Sequence, residues 1–404
     1  MKRVFLFVLL VALISTPVIV KAFAAPTTIV IWHAYRGEEK DAIEAVAQSF
    51  NKTHKDIQVS LLAVPFDALA DKVSASVPRE KGPDLFIYAQ DRLGGWIVAG
   101  IAEPIEYYLT DAIKARFVPG SLSAFTYKGS IYGLPFSNKC VTLMYNKALV
   151  SKPPKTTDEL ISLAKSLTDP EKKQYGLAYE NQNYYYHSIW MQGFGAKVFD
   201  AEGNPTLNSP AAARALQFAM DLQKKEKIMP EEMTNTLVTT LFNEGKAAMV
   251  INGPWFRGEI DPGIDYGVAL LPVISEVGKP AIPFLTVEGM IMSAKSTNKD
   301  AAFKVMEYFT NNASSLVFAT TGKMISANKS VFLNKKIASD PLIMGFMAQV
   351  RQSIPMPNAP EMTMVWSPVT TAMNKAFLGA LSPSDALTEA QNSVISAISM
   401  LRGK

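Results

Sequence analysis

Short runs of β-branched and aromatic residues alternate along this chain with stretches of helical period, an order that layered α/β architectures accommodate. Residues 28–32 predict a strand, and Ile43, Val46, Ala47 and Phe50 then repeat at i, i+3, i+4 and i+7, one face of a helix. Residues 57–64 predict a second strand, and Phe66, Leu69, Val73 and Val77 mark a second helix. A third strand, over residues 85–88, is entered through the turn Gly82-Pro83-Asp84. Farther along, Thr156-Thr157-Asp158-Glu159 fits a capping box. Ser209-Pro210 and Ser382-Pro383 each place a capping hydroxyl before a proline suited to the first helical turn. Residues 247–251 predict a buried strand that stops at Asn252-Gly253-Pro254, and a helix is expected to start near Pro368.

Lys2 and Arg3 precede an apolar stretch over residues 4–20, and Ala22-Phe23-Ala24 supplies the small-x-small pattern of a signal-peptidase site. A signal peptide over residues 1–24 is therefore expected, and Pro17 within the apolar run argues against a permanent anchor. No later segment approaches the roughly 20 consecutive apolar residues of a membrane span. The single cysteine, Cys140, lies far from the cleavage site, so no lipidated cysteine is expected at the new N-terminus, and a lone cysteine forms no internal disulfide. A soluble, periplasmic chain is the expectation. Loss of residues 1–24 removes Lys2, Arg3 and Lys21 but no acid, which takes the formal net charge from +4 to +1. That balance gives no reason to expect nucleic acid or an anionic membrane as a partner. The remaining roughly 380 residues are too many for one ordinary core, so two domains are expected. No long Gly/Ser linker separates them, which points to lobes joined by several short crossings.

A catalytic centre is hard to assemble from these residues. His33, His54 and His187 are scattered, without the spacing of a zinc site. No nucleophile elbow, Walker loop or dinucleotide-binding glycine motif is present, so neither metal nor cofactor is expected. Cys140 beside Lys139 reads as a buried structural cysteine on a strand. Carboxylates such as Glu38, Glu39, Asp84 and Asp91 keep a secreted glycoside-active enzyme as the rival reading, because the fold brings such pairs together. Aromatics instead gather at strand ends and turns: Trp32, Tyr35, Tyr88, Tyr184, Tyr185, Tyr186, Trp255 and Trp366. Sugar rings present flat C–H faces edged by hydroxyls, and a site for them needs aromatic plates with planar polar groups at the rim. Asp91-Arg92 directly after Tyr88 puts a carboxylate, a guanidinium and a ring at one strand end.

Several separated blocks now occur in an order that resembles the extracellular solute-binding proteins of ABC importers, most closely the maltose/maltodextrin-binding proteins. They are Gly82-Pro83-Asp84 through Asp91-Arg92-Leu93-Gly94-Gly95, Tyr145-Asn146-Lys147, Ile251-Asn252-Gly253-Pro254-Trp255, and Met356-Pro357-Asn358 with Pro360, Met362 and Trp366. The resemblance implies an α/β, two-lobed periplasmic-binding-protein fold with three interlobe crossings and a central ligand cleft. It implies an N-lobe of residues 26–137 plus 287–328 and a C-lobe of residues 138–286 plus 329–404. Such lobes close on their ligand by hinge motion.

Carried over residue by residue, Tyr88, Asp91 and Arg92 match sugar-contacting positions, and Tyr185 and Tyr186 match aromatic contacts. Trp255 and Trp366 match two stacking tryptophans, Met356 a wall residue, and Arg36 a basic contact near the first helix. Lys139 and Asn183 stand where the family carries hydrogen-bonding glutamates, and Ser367 and Thr370 where it carries a tyrosine and an arginine. The aromatic platform is thus kept and part of the polar rim changed. The implied ligand is a maltodextrin-type oligosaccharide, with longer dextrins, cyclodextrins and galacto-oligosaccharides as alternatives, and maltose a poorer ligand than a longer or cyclic glucan. The implied partners are the membrane permease subunits of an ABC importer, with a chemoreceptor compatible; the protein would act as a monomer.

Overall fold

The computed structural model describes residues 25–118 and 120–402, so the signal peptide expected over residues 1–24 lies outside the described residues. Ten strands organise the fold. In chain order they are β1 (Thr27–His33), β2 (Ile57–Ala63), β3 (Leu85–Ala89), β4 (Gly133–Lys139) and β5 (Thr142–Asn146), then β6 (Tyr175–Ala178), β7 (Ala247–Asn252), β8 (Tyr266–Ala269), β9 (Phe284–Met292) and β10 (Ile354–Pro355). The principal helices are α1 (Gly37–Thr53), α2 (Phe66–Ser76), α3 (Leu93–Val98), α4 (Thr157–Ser166), α5 (Tyr184–Gly193) and α6 (Pro210–Lys224). They continue with α7 (Asn235–Asn243), α8 (Lys299–Phe309), α9 (Asn312–Thr320), α10 (Pro341–Val350), α11 (Trp366–Phe377) and α12 (Pro383–Leu401).

The strands form two separate sheets. One runs in the order β10-β9-β3-β1-β2, with β4 also paired to β9. The other runs β8-β5-β7-β6. In the first sheet β1 lies parallel to β2 and β3, whereas β9 runs antiparallel to β3 and β4. Alternate residues of β1 feed opposite faces, as strand geometry requires. Ile29 and Ile31 pack with Ile43, Val46 and Phe50 of α1, while Trp32 packs with Leu69 and Val73 of α2. The second sheet divides likewise: Met144 and Val250 pack with Phe242 of α7 and Phe346 of α10. Leu143 and Ile251 of the same strands join Ile189, Leu216 and Val394 of α5, α6 and α12.

Helix starts follow the local chemistry. Ser209 accepts from Ala212 N at 3.3 Å and Ser382 from Asp385 N at 3.1 Å. At α4 the Thr156 hydroxyl accepts from Glu159 N, but Glu159 reaches back to Lys155 N at 2.7 Å and not to Thr156 N, so the capping box is half formed. The helix expected near Pro368 starts two residues earlier, at Trp366.

The chain passes between the sheets at points that matter for the site. β4 runs into β5 through Cys140 and Val141 alone, so Cys140 is buried but lies between strands and not on one. The long strand β9 receives the chain from the second sheet. Residues 325–327, after α9, lie beside β4, with Asn138 N donating to Ile325 O and Ala327 N to Phe136 O. β10 returns later to pair with the start of β9 through Phe284↔Ile354 and Leu285↔Pro355. Opposite Glu288 and Gly289 the partners on β4 are Ser137 and Pro135, which leaves Phe136 as the extra residue of a bulge.

Candidate ligand-binding cleft

Thr286 and Glu288 stand two residues apart on β9 and therefore share a face. Across from them lie the start of α5, the turn after β3 and the end of β4. Asn183 caps α5, its Oδ1 accepting from Tyr185 N at 3.0 Å. Because α5 begins there, the three consecutive tyrosines fan out around a helix. Tyr184 is fully buried, its hydroxyl on Met191 Sδ at 3.5 Å. Tyr186 donates to Asn252 Oδ1 at 3.2 Å, and Tyr185 shares a hydrogen bond with Thr286 Oγ1 at 3.0 Å. The Tyr185 ring lies 6.1 Å from that of Trp255, which follows the Asn252-Gly253-Pro254 turn at the end of β7. Burial raises the pKa of the Tyr185 phenol, against the pull of its hydrogen bond with Thr286. Trp366 packs edge-on against Tyr184 and Phe284, at 5.6 and 6.5 Å. Trp255, Trp366 and Tyr185 remain only partly buried.

The turn Gln90–Arg92 after β3 carries the charged pair. Gln90, fully buried, donates from Nε2 to Leu285 O at 3.0 Å and Met356 O at 3.3 Å, and its Oε1 accepts from Val287 N at 2.7 Å. One amide thus fixes the turn against both β9 and the chain leaving β10. Asp91 is buried, and burial pushes its carboxyl up to about 6 even though Arg92 draws it the other way. Arg92 Nε stands 3.6 Å from Asp91 Oδ2, beyond hydrogen-bond length, and has no other partner. The Trp366 indole N–H lies near enough to Asp91 to help hold its carboxyl down, yet meets no acceptor in hydrogen-bond geometry. Tyr88 stacks on Phe66 at 5.1 Å and meets Trp96 edge-on, so one face of its ring is already covered.

Lys139, at the end of β4, is buried between two acids. Its Nζ donates to Glu39 Oε1 at 2.9 Å and pairs by charge with Glu288 Oε2, also at 2.9 Å. Burial opposes the ammonium charge, but Glu288 and Glu39 outweigh it and hold Lys139 above its usual pKa. Burial raises Glu39 above the ordinary carboxylate range, with Lys139 pulling it back. The phenol of Tyr35, over whose ring Nζ sits at 5.5 Å, is buried without a partner. On the far rim Arg36, mostly exposed, forms an ion pair with Glu259 in the segment that carries Trp255.

The structure links Tyr185 to Trp255 and to Thr286, Lys139 to Glu288 on the same strand face as Thr286, Tyr186 to Asn252, and Asp91 to Arg92 just after Tyr88. Met356 is buried against Gln90, Asn183 caps α5, Trp366 packs on Tyr184, and Arg36 stands on Glu259. In the sequence, Lys139 and Asn183 stand at positions that have lost acceptors. The structure sets Glu39 and Glu288 beside the first and Glu180 beside the second, where Asn183 Nδ2 donates to Glu180 Oε2 at 3.3 Å. Glu39 is among the acids the sequence offers and Phe66 marks a helix face there, but no motif points to Glu288, Glu180, Thr286 or Gln90 as site residues. A Glu on an otherwise apolar strand, in Phe284–Met292, was the available signal for Glu288.

Two α/β units around a cleft lined by aromatic rings and unpaired polar atoms define a ligand-capturing protein of the periplasmic-binding fold. The chain belongs to the bacterial extracellular solute-binding protein family, whose profile matches residues 36–315. It is 34% identical over 355 residues to a maltotriose-binding protein of Pyrococcus abyssi, covering 86% of this chain and 77% of that protein. It is 29% identical over 390 residues to a galactooligosaccharide-binding protein of Bacillus subtilis, covering 92% and 89%. Among solved structures, a Thermus thermophilus maltotriose-binding protein bound with maltotriose superposes with a TM-score of 0.85 at 31% identity, covering 92% of this chain and 100% of that one. A maltose/maltodextrin-binding domain from Bdellovibrio bacteriovorus, bound to maltotriose, gives 0.86 at 26% identity with the same coverage. Among the described residues no helix is long and apolar enough to cross a membrane.

Proposed function

We propose that this protein captures a maltodextrin-type oligosaccharide in the cleft and delivers it to the membrane permease subunits of an ABC importer, without chemistry of its own. The observation that carries this reading is a set of buried polar atoms with no hydrogen-bond partner: Tyr35 OH, Arg92 Nε, Glu288 Oε2 and Trp366 Nε1. They come from four different segments; Glu288 shares a strand face with Thr286, which bonds Tyr185, whose ring lies 6.1 Å from that of Trp255. Buried polar atoms ordinarily find partners, and these four, beside aromatic rings, suit a ligand that supplies hydroxyls alongside apolar ring faces. The names of the relatives support the same ligand class. In this reading Tyr88, Asp91, Arg92, Lys139, Asn183, Tyr185, Tyr186, Trp255, Met356 and Trp366 form the site and Arg36 its rim.

The rival reading as a glycoside-active enzyme meets a physical obstacle. Glu39 and Glu288 are both paired with the Lys139 ammonium, at 2.9 Å each, so this pair of acids shares a cation and not a glycosidic oxygen or a water. The working division is an N-lobe of residues 26–137 plus 287–328 and a C-lobe of residues 138–286 plus 329–404. The mature protein is a periplasmic monomer lacking residues 1–24, and its ligand-closed form is also suited to a chemoreceptor. A thermal-shift panel of maltose, longer maltodextrins, cyclodextrins and galacto-oligosaccharides tests the ligand class, because a ligand that binds only the native state raises its melting temperature. The reading expects the largest shift with a maltodextrin longer than maltose, and intact sugar recovered after incubation. A shift with galacto-oligosaccharide alone would move the assignment to that ligand, and cleaved dextrin would overturn the non-enzymatic reading.

A further inference from the structure

We infer that Glu288, held in place by Lys139 together with Glu39, is a specificity-determining acceptor for a hydroxyl of the bound sugar. This rests on the reading of the cleft as an oligosaccharide site and names the group that reads one part of the ligand. Glu288 lies on β9 at the position where β4 carries its bulge, and bulges re-aim side chains. Its side chain is about one-tenth exposed, an expensive place for a carboxylate unless it is paired. Lys139 supplies that pairing from the opposing strand at 2.9 Å, so the charge is compensated.

Compensation of charge is not the same as satisfaction of lone pairs. Glu288 Oε2 lies 2.9 Å from Lys139 Nζ but outside hydrogen-bond geometry. The phenol of Tyr35, whose pKa is raised by burial and then by the nearby Glu288 carboxylate, also lacks a well-aligned partner. Lys139 Nζ, 2.9 Å from Glu288, also sits 5.5 Å from the centre of the Tyr35 ring, and Tyr185 bonds to Thr286 two residues along the same strand, so both phenols lie near Glu288. Thr286, on the same face of β9, is already taken by Tyr185, which leaves Glu288 as the unfilled acceptor of this strand. A sugar hydroxyl both donates and accepts. One hydroxyl could donate to Glu288 Oε2 while its oxygen accepts from the third proton of Lys139 Nζ or from Tyr35 OH. Glu288 and Tyr35, each short of an aligned partner, are both served by one hydroxyl placed beside Lys139. Glu39, the other partner of Lys139, sits in the first turn of α1, where a carboxylate is favoured by the helix dipole, and keeps the ammonium from swinging away.

The test compares wild-type protein with Glu288→Gln by titration calorimetry, using maltotriose and a set of singly deoxygenated maltotrioses. Hydrogen bonds to a charged group predict that Glu288→Gln weakens maltotriose binding roughly 10- to 100-fold. The decisive readout is the pattern across the deoxy sugars. At one hydroxyl position the wild type should lose roughly 10- to 100-fold, and Glu288→Gln less than about threefold further, because the partner is already gone. A purely structural glutamate would leave the pattern of deoxy penalties the same in both proteins, and that result would overturn the inference. If the variant fails to fold, as its urea midpoint would reveal, Glu288→Asp keeps the charge and withdraws the acceptor by one bond. It should show the same flattening of the pattern at that hydroxyl. Failure of the wild type to bind maltotriose or any longer dextrin would instead sink the oligosaccharide reading itself, and this inference with it.

Discussion

Replacing Asp91 by asparagine should stabilise the ligand-free protein while weakening its grip on sugar. Asp91 is buried and its carboxyl is raised from 3.8 to about 6, chiefly by burial and against the pull of Arg92. The folded protein therefore holds this proton more tightly than the unfolded chain does. Stability from this group is fully present below about pH 4 and is lost as pH rises through about 6. At 1.36 kcal/mol per pH unit, the ionised carboxylate opposes folding at neutral pH by about 3 kcal/mol, an upper value. Asparagine carries no such charge, and its amide oxygen still faces the Arg92 side chain, which is about one-third exposed overall although its Nε is buried. Urea unfolding of both proteins in the ligand-free state, run from about pH 3.5 to about pH 7.5, should show midpoints that coincide in acid. The midpoints should separate between about pH 4 and about pH 6, with the variant the more stable above that range. Calorimetry at neutral pH should show the variant binding maltotriose roughly 10- to 100-fold more weakly, since a charged acceptor has been lost. A variant less stable than wild type at neutral pH, or a gap independent of pH, would refute the argument that Asp91 is kept ionised for the ligand at a cost to the fold.

Replacing Trp255 or Trp366 by alanine should weaken sugar binding by about 1.5–3 kcal/mol, tenfold to a hundredfold and more in Kd. The ligand-free urea midpoint should change little, because both rings are only partly buried; a large stability loss with unchanged affinity would return them to the core. The ion pair of Arg36 with Glu259 is largely solvated on the arginine side, and such pairs contribute about 0.2–1 kcal/mol. Arg36→Ala should therefore weaken binding no more than about fivefold, with the difference from wild type shrinking in high salt; a hundredfold loss would place Arg36 directly on the ligand. Osmotic shock should release a soluble protein whose N-terminus, by mass spectrometry, is Ala25 or the residue after it. Recovery from membranes with residues 1–24 intact would contradict the cleaved-signal reading.

Local periodicity made much of the fold legible. Ile43, Val46 and Phe50 mark the buried face of α1, and Ser209 and Ser382 cap the helices they precede. Ala247 to Ile251 reads as a buried strand and is one. These features depend on neighbours within one or two helical turns, which a sequence displays directly. Trp255 was equally legible, because an Asn-Gly-Pro turn at a strand end sets the next side chain outside the sheet. The polar part of the cleft was not legible to the same degree. Lys139 reads as a lost acceptor, but its acids come from 100 residues upstream in Glu39 and from β9 in Glu288. Gln90 joins residues 195 and 266 positions away, and no local pattern announces such a clamp. Cys140 was expected on a strand and falls in the two-residue step between sheets, where strand period gives way to a change of direction. Pairing across the fold is decided by which strands meet, and here that is set by β9 lying between β3 and β4.

The central claim is that this cleft holds a maltodextrin-type oligosaccharide, and calorimetric titration of the mature protein with maltotriose tests it most directly. The account predicts one site per chain and a Kd of about 1 μM or tighter, near −8 kcal/mol. The same titration should show a negative heat-capacity change as the Tyr185, Trp255 and Trp366 rings are covered. Folded protein that releases no binding heat with maltotriose or longer maltodextrins at any temperature tried, and whose melting temperature they leave unchanged, would contradict it.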